Sequence, residues 1–314
     1  GGQELVYSTT CNGHGGSEPY EISCCEELQN ISTHGLNHDY VLTANIDCSV
    51  TNPSDPDNAG SQWDNGGVGF QRIGDNSVSY SGFFDGAGYT IGYVFMENNS
   101  LVSYQGLFGM VSGSINDVNL VDINYSIGNT NEDYCGGLTG YLDTGGSINN
   151  VTVQGFIEGY LADNVGGVVG GVNGGAEVSN AHLLSGSTLK GYRYVGGIMR
   201  GGTAVLTNIS SAGSITGNKG SGGIAGRTDS MITYAYSSAT INSLNDEAGG
   251  IVGSFEEFGG GSTLNNSLFT GTIISNSYFY IGGLVGVTQN TVFIDRSLSL
   301  GNVSASGAVG GVVG

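Results

Sequence analysis

From about Gly106 onward, apolar and polar residues alternate with a period of two in short runs, with no helical period among them. One stretch reads Ile148, Val151, Val153, Gly155, Ile157; a second reads Leu206, Ile209, Ser211, Gly213, Ile215; a third reads Leu264, Ser267, Phe269, Gly271, Ile273. Such alternation belongs to short half-buried strands, and three runs per repeat leave room only for tight bends between them.

A glycine-centred pentapeptide separates these stretches. It appears as Gly106-Leu107-Phe108-Gly109, Gly136-Gly137-Leu138-Thr139-Gly140, Gly166-Gly167-Val168-Val169-Gly170 and Gly196-Gly197-Ile198. It continues as Gly222-Gly223-Ile224-Ala225-Gly226, Gly249-Gly250-Ile251-Val252-Gly253, Gly282-Gly283-Leu284-Val285-Gly286 and Gly310-Gly311-Val312-Val313-Gly314. Counted from Gly106 and then from each second glycine, the steps are 31, 30, 30, 26, 27, 33 and 28 residues. Strand and bend repeated every 26–33 residues predicts an all-β chain wound as a β-solenoid with about three faces. Stacking at about 4.8 Å gives eight such coils a rise of roughly 38 Å. A single coil cannot bury its apolar face, so its neighbours must do so. The glycine pairs are expected to supply positive φ at the bends and to let stacked backbones approach closely.

One polar column stands out. The residue before the second apolar position is Asn150, Asn180, Asn208 and Asn266, with Asp117, Tyr234 and Arg296 as departures. Stacked asparagines at a bend can hydrogen-bond from coil to coil as a ladder. The competing reading is glycosylation, because Asn150 and Asn208 also begin N-x-[ST] sequons, and one side chain cannot do both. The sequons number seven, the others being Asn30, Asn98, Asn124, Asn265 and Asn302. Asn30, Asn98 and Asn265, expected in loops or at bends, are the first positions to test for glycans, with Asn124 and Asn302 as further candidates.

Composition narrows the class. With 59 Gly but only 3 Pro among 314 residues and no G-X-Y period, collagen and polyproline helices are excluded. A hydrophobic content of 38% supports a core. Twenty-seven acidic against seven basic residues give a net charge of -20, which repels phosphate backbones and anionic lipid. Nucleic acid is therefore not an expected partner, and no apolar run is long enough for membrane insertion. Cations, neutral glycans and other proteins remain. The chain begins without Met or a signal peptide and stops inside a repeat, as a processed or excised piece would.

Four of the five cysteines, Cys11, Cys24, Cys25 and Cys48, lie within the first 48 residues, which points to an oxidising, extracellular setting. Neighbouring Cys24 and Cys25 would be strained if joined, so each is expected to pair with one of Cys11 and Cys48, in either of two ways. Zinc binding competes, but no CxxC spacing supports it. Cys135 is expected as a buried thiol.

The pentapeptides resemble the GLUG motif, a repeat of secreted and surface-exposed proteins that include adhesin-like giants and some immunoglobulin-A-cleaving metallopeptidases. The likeness extends to Glu26-Glu27-Leu28, to Tyr40-Val41-Leu42-Thr43-Ala44-Asn45-Ile46-Asp47, to Gly69-Phe70-Gln71-Arg72-Ile73-Gly74 and to Phe84-Asp85-Gly86-Ala87-Gly88-Tyr89-Thr90-Ile91. It thus covers about residues 22 to 314, and the last of these elements is the more specific. The resemblance implies a right-handed parallel β-helix used as a surface stalk, adhesin or spacer. It implies no catalysis: the peptidases carry HExxH in a separate region, and no HExxH occurs here.

On this reading, residues 1–39 form an N-terminal segment and cap, and 40–314 form one solenoid with GLUG-type repeats from about 106. Ser23 is expected to start one short helix ending near Asn30, with Glu26 completing a capping box. Such a plug shields strand edges, and the disulfides pin it.

Candidate chemistry is sparse. His34 and His38 have metal-ligand spacing with Asp39 adjacent, but Gly35 replaces the glutamate of a zinc peptidase, and the stretch reads as loop. His14 and His182 are isolated and expected at the surface. Carboxylates at the expected bends are Glu132-Asp133, Asp143, Asp246-Glu247 and Glu256-Glu257, and a glycosidase would need two of them at a defined separation. Asp55, Asp57 and Asp64 offer oxygen ligands for a structural calcium, although the regular calcium repeat is absent. Five of the seven basic residues, Lys190, Arg193, Arg200, Lys219 and Arg227, fall in two neighbouring coils, as a solvated face or a dock for an acidic patch.

The expected protein is a non-enzymatic extracellular β-solenoid, structural or adhesive, in a surface appendage or filament. Its expected partners are further repeats or another copy at the C-terminal end, and glycans or other surface proteins. The alternative is a glycan-binding or polysaccharide-cleaving β-helix.

Overall fold

The computed structural model describes residues 6–13, 15–98, 103–127, 134–159, 164–256, 261–276, 280–289, 291–307 and 309–314. His14, Glu132, Asp133 and Glu257 lie outside the described residues, as does the side chain of Asn98. The chain forms a β-solenoid whose named strands all pair in parallel. A seven-stranded ladder marks the turns: Tyr134–Gly136, Asn164–Gly166, Tyr194–Gly196, Ser221–Gly222, Ala248–Gly249, Ile281–Gly282 and Val309–Gly310. Within one coil the strand Tyr134–Gly136 leads to Thr139–Leu142 and then to Ser147–Gly159, which turns two corners while staying paired to Ser114–Ile127 below.

Period-two alternation becomes axial columns of like residues. One column runs Tyr20, Tyr40, Phe84, Ile115, Ile148, Val178, Leu206, Ile232, Leu264, Ile294. From Tyr40 to Leu264 every member is buried, and Ile294 packs against the core from the last coil. Burying each such side chain contributes about 1.5–3 kcal/mol. A second column, Ile157, Leu189, Ile215, Ile241, Ile273, Val303, lines another side. Between Leu183 and Phe269 the equivalent positions are Ser211 and Ser237, whose hydroxyls lie 3.0 Å apart. Both are buried, and their mutual contact keeps the hydroxyls satisfied inside the core.

The glycine motif has a different job at each position. A Cβ on the first glycine of the pair (Gly136, Gly166, Gly196, Gly222, Gly249 or Gly282) would overlap the carbonyl oxygen three residues on, across the corner. A Cβ on the second would strike the carbonyl of the matching glycine one coil up, from Gly137 against Gly167 through to Gly283 against Gly311. The third packs on the ladder strand of the coil below: a Cβ at Gly170 would sit 2.7 Å from the Cys135 nitrogen, and one at Gly226 2.8 Å from that of Val195. Close approach therefore explains the pairs. Positive φ does not, because none of these paired glycines has it. The left-handed conformation falls instead to the column Asp117, Asn150, Asn180, Asn208, Tyr234, Asn266, Arg296, where φ lies between 44 and 57°. Asn and Asp tolerate that region best among residues with a side chain, which accounts for their recurrence there.

The N-terminal helix differs in detail from the expected one. It spans Cys25–His34 (α1) and is capped by Cys24, whose sulfur accepts from the Glu27 N–H. Glu27, not Glu26, reaches back, accepting from the Ser23 N–H at 2.7 Å and the Ser23 hydroxyl at 2.9 Å. The helix continues past Asn30 to His34 and stops at Gly35. Disulfides Cys11–Cys24 and Cys25–Cys48 bind it to the segments on either side, and Cys135 is buried and belongs to neither disulfide. The strand Tyr20–Ile22 pairs with Tyr40–Leu42, so the parallel ladder extends into the first 39 residues.

Replacing Gly166 with Ala is expected to lower unfolding free energy by about 1–3 kcal/mol through overpacking at the corner. Gly174→Ala, where nothing lies within 4 Å of the new methyl, should stay within about 0.5 kcal/mol of the parent. Parallel denaturant melts of the two variants check both values.

Candidate functional site

An open cleft of about 680 Å³ lies between α1 and the segment around residues 62 to 78. Gln29 on α1 organises its wall. Its carboxamide oxygen accepts from the Gln71 N–H at 2.8 Å and the Trp63 indole N–H at 3.3 Å, while its amide nitrogen donates to the Gln71 carbonyl at 2.7 Å. Trp63 and Phe70 are buried beneath the cleft, and Asn30, Gln62, Gln71 and Arg72 stand along it. Arg72 lies 3.9 Å from Asp75, whose carboxyl is held below the usual range chiefly by the backbone N–H groups of Val78 and Ser77, with Arg72 adding to the effect.

A second cavity of about 240 Å³ lies near the disulfides, with Glu26, Asp47, Asp55 and Asp57 on its walls. The expected calcium triad does not form there. The Asp55 carboxylate accepts from the Asp57 N–H and that of Asp64 from the Gly60 N–H, so both serve local turns. Among the described residues, three potential ligand atoms converge within 4.8 Å only at Cys11, Cys24 and Glu27, and both sulfurs are spent in a disulfide.

The histidines serve structural contacts. His34 closes α1 rather than lying in a loop, and its Nδ1 is 2.9 Å from the Tyr40 hydroxyl, while His38 pairs with Glu18. Tyr20 packs edge-on against both rings, at 4.4 and 5.2 Å. His182 is half-buried against the Ser210 hydroxyl at 2.8 Å, and burial lowers its pKa.

At the left-handed column, side-chain bonds cross from coil to coil with changing partners. Asn150 donates to Asp117, Asn180 to Asn149 at 2.7 Å, and Asn208 to Asn180 at 2.6 Å. At Asn266 the coil-to-coil bond runs from its backbone N–H to the Asp295 carbonyl, 3.0 Å. Of the other sequon asparagines, Asn30 is half-buried on α1, Asn98 ends the strand Phe95–Asn98, Asn124 and Asn302 are exposed, and Asn265 is half-buried.

The basic cluster is a seam of arginines and tyrosines. Guanidinium groups of Arg193, Arg200 and Arg227 lie 5.6, 4.9 and 5.0 Å from the Tyr194 ring centre, and Arg200 also approaches Tyr134 at 5.8 Å. Tyr104, Tyr134 and Tyr141 continue it with ring separations of 4.9–5.5 Å. Arg227 pairs with buried Glu256. Lys190 instead sits 3.5 Å from Glu158 and over the Phe156 ring. Glu247 is buried in the neighbouring coil, and desolvation raises its pKa against the pull of Lys219 and Arg227.

Two features escaped the sequence reading. The tyrosines at 104, 134, 194 and 280 all stand two places before a motif glycine, a recurrence superimposed on the glycine repeat itself. The cleft joins residues some forty apart, such as Gln29 and Gln71, and the lone tryptophan was its single sequence signal.

These features define a parallel β-solenoid with a disulfide-pinned helical end. No family model matches the sequence. The chain is 30% identical over 246 residues to Halomucin of Haloquadratum walsbyi; the match covers 77% of this chain and about 2% of Halomucin's length. A crystal structure of a candidate immunoglobulin A1 protease from Bacteroides ovatus shares the fold, with a TM-score of 0.61 and 18% identity over 95% of this chain and 84% of that one. No helix among the described residues is long and apolar enough to cross a membrane.

Two predictions follow from the local geometry. Asn208→Gly should keep stability near the parent, whereas Asn208→Ala should lower it by about 1–2 kcal/mol, since only the second forces a Cβ without a polar compensation into the left-handed region. Because Glu247 binds its proton more tightly folded than unfolded, its stabilising contribution is full at acidic pH and falls as pH rises from the ordinary glutamate range through the raised value. Glu247→Gln should flatten that fall and raise the melting temperature at neutral pH, as read by melts across pH.

Proposed function

We propose that this chain is a non-enzymatic element of an extracellular surface structure, a β-solenoid with a structural or adhesive role that assembles by end-to-end stacking. The observation that carries this reading is the unbroken register of the axial column from Tyr20 to Ile294. Backbone hydrogen bonds from each coil to the next make such a stack a stiff rod, and stability accrues coil by coil. The last coil keeps that register while leaving Phe293, Leu298 and Leu300 more than half exposed, at 67, 53 and 65%. Strand edges of this kind template further pairing. At the other end α1 lies beside the strand Tyr20–Ile22, and the Leu36 carbonyl just beyond α1 accepts from the Ser81 N–H. A further coil added to this edge, from more repeats or from another copy, continues the stack, and a head-to-tail contact between copies that does not close grows into a filament.

Extracellular placement is supported by the two disulfides and by the likeness to Halomucin, whose name is that of a mucin. The resemblance of the pentapeptides to GLUG repeats of secreted and surface proteins supports the same role. The Bacteroides ovatus likeness is one of fold and assigns no protease chemistry here.

End-to-end pairs or filaments are the expected result of light scattering and negative-stain microscopy at high protein concentration, and Val303→Asp on the last coil should abolish them. A monodisperse monomer under those conditions contradicts the stacking role. Release of peptides from immunoglobulin A1, or of reducing ends from a polysaccharide panel, contradicts the non-enzymatic one.

A further inference from the structure

The cleft between α1 and residues 62 to 78 takes no part in stacking coils, yet it is a built site. Its volume of about 680 Å³ falls within the roughly 300–1,000 Å³ usual for small-molecule sites. Gln29 fixes both walls by three hydrogen bonds, so the cleft keeps its shape without a ligand. The carboxamides of Asn30, Gln62 and Gln71 make no hydrogen bond to the rest of the described chain.

We propose that this cleft binds a neutral saccharide of about disaccharide size, a reading that rests on and deepens the adhesive role above. A carboxamide offers a donor and an acceptor together, which matches a sugar hydroxyl, itself both donor and acceptor. The opposite charges of Arg72 and Asp75 stand 3.9 Å apart, so the lining carries no net charge, and a surrounding chain of net charge -20 repels polyanions. Leu36, Val68 and Val78 supply accessible apolar surface for the ring carbons, with Trp63 and Phe70 buried behind the lining, as ligand sites commonly pair apolar walls with a few oriented polar groups. Among the described residues Asp75 is the sole carboxylate lining the cleft, whereas glycoside cleavage uses two, so the site binds without cutting.

Trp63 is the only tryptophan, so its fluorescence reports on this cleft directly. The test titrates the full unglycosylated chain with maltose, cellobiose, lactose and N,N′-diacetylchitobiose at millimolar concentration, reading Trp63 emission and saturation-transfer NMR. At least one disaccharide should bind, and the Gln62→Ala, Gln71→Ala double variant should weaken it tenfold or more with an unchanged melting temperature. Ser77→Trp, which fills the mouth, gives an independent block. The proposal is overturned if none of the four binds, if the variants leave binding unchanged, or if a sulfated disaccharide binds more tightly than its neutral counterpart. Stacking is scored separately by microscopy, so a chain that assembles but binds no sugar loses only the cleft's assignment.

Discussion

The whole solenoid depends on backbone meeting backbone at the glycine corner. Three constraints converge there: a sharp turn, a rung directly above and a ladder strand of the coil below. Each leaves no room for a methyl group at its own glycine. The conformational entropy glycine loses on ordering is offset because a side chain would open the corner and pull the apolar columns out of register. Arg200 stands in the register of the third glycine, between Gly170 and Gly226, and its neighbourhood is where arginines and tyrosines gather on the outside of the corner. The seam's charged groups cluster at the one departure in that column.

Once the corners fix the rise, the interior follows from alternation. Isoleucine, leucine and valine stack on their counterparts, and where the column changes to serine, the two hydroxyls pair with each other rather than remaining unsatisfied. The left-handed column then turns the chain between two sides without a break in pairing. Its side chains link coils where their length permits, and a tyrosine or arginine in the same conformation shows that backbone geometry, not the cross-coil amide bond, is common to all seven positions.

Much of this was legible in the sequence because it repeats. A period-two pattern and a recurring glycine motif specify coil length, parallel stacking and core columns, each confirmed by its neighbours seven times over. The glycine pairs were assigned positive φ as well as close approach; the sequence alone could not separate two uses of the same missing side chain. In the asparagine column, coil-to-coil bonds run from Asn150 to Asp117 and from Asn208 to Asn180, but amide stacking and left-handed tolerance favour the same residue, so the sequence does not separate the two. Local capping was misplaced by one residue, since Ser23-Cys24 and Glu26-Glu27 present the same signal in two frames, and burial of Glu27 against the cysteines decides between them. The cleft was illegible because its walls come from distant segments that occur once each.

The rod and the cleft divide the molecule's work: repetition makes a stiff stack, and the one non-repeating end carries a shaped surface. Central to both is that corner-to-corner contact holds the coils as one continuous ladder. Amide hydrogen exchange along the seven-stranded ladder tests this most directly. Protection should be strongest in the middle coils, at Val195, Ser221 and Ala248, and should fall toward Val309 at the exposed edge. Fast exchange throughout that ladder, or protection confined to the disulfide-bonded end, would contradict a stack held together at its glycine corners.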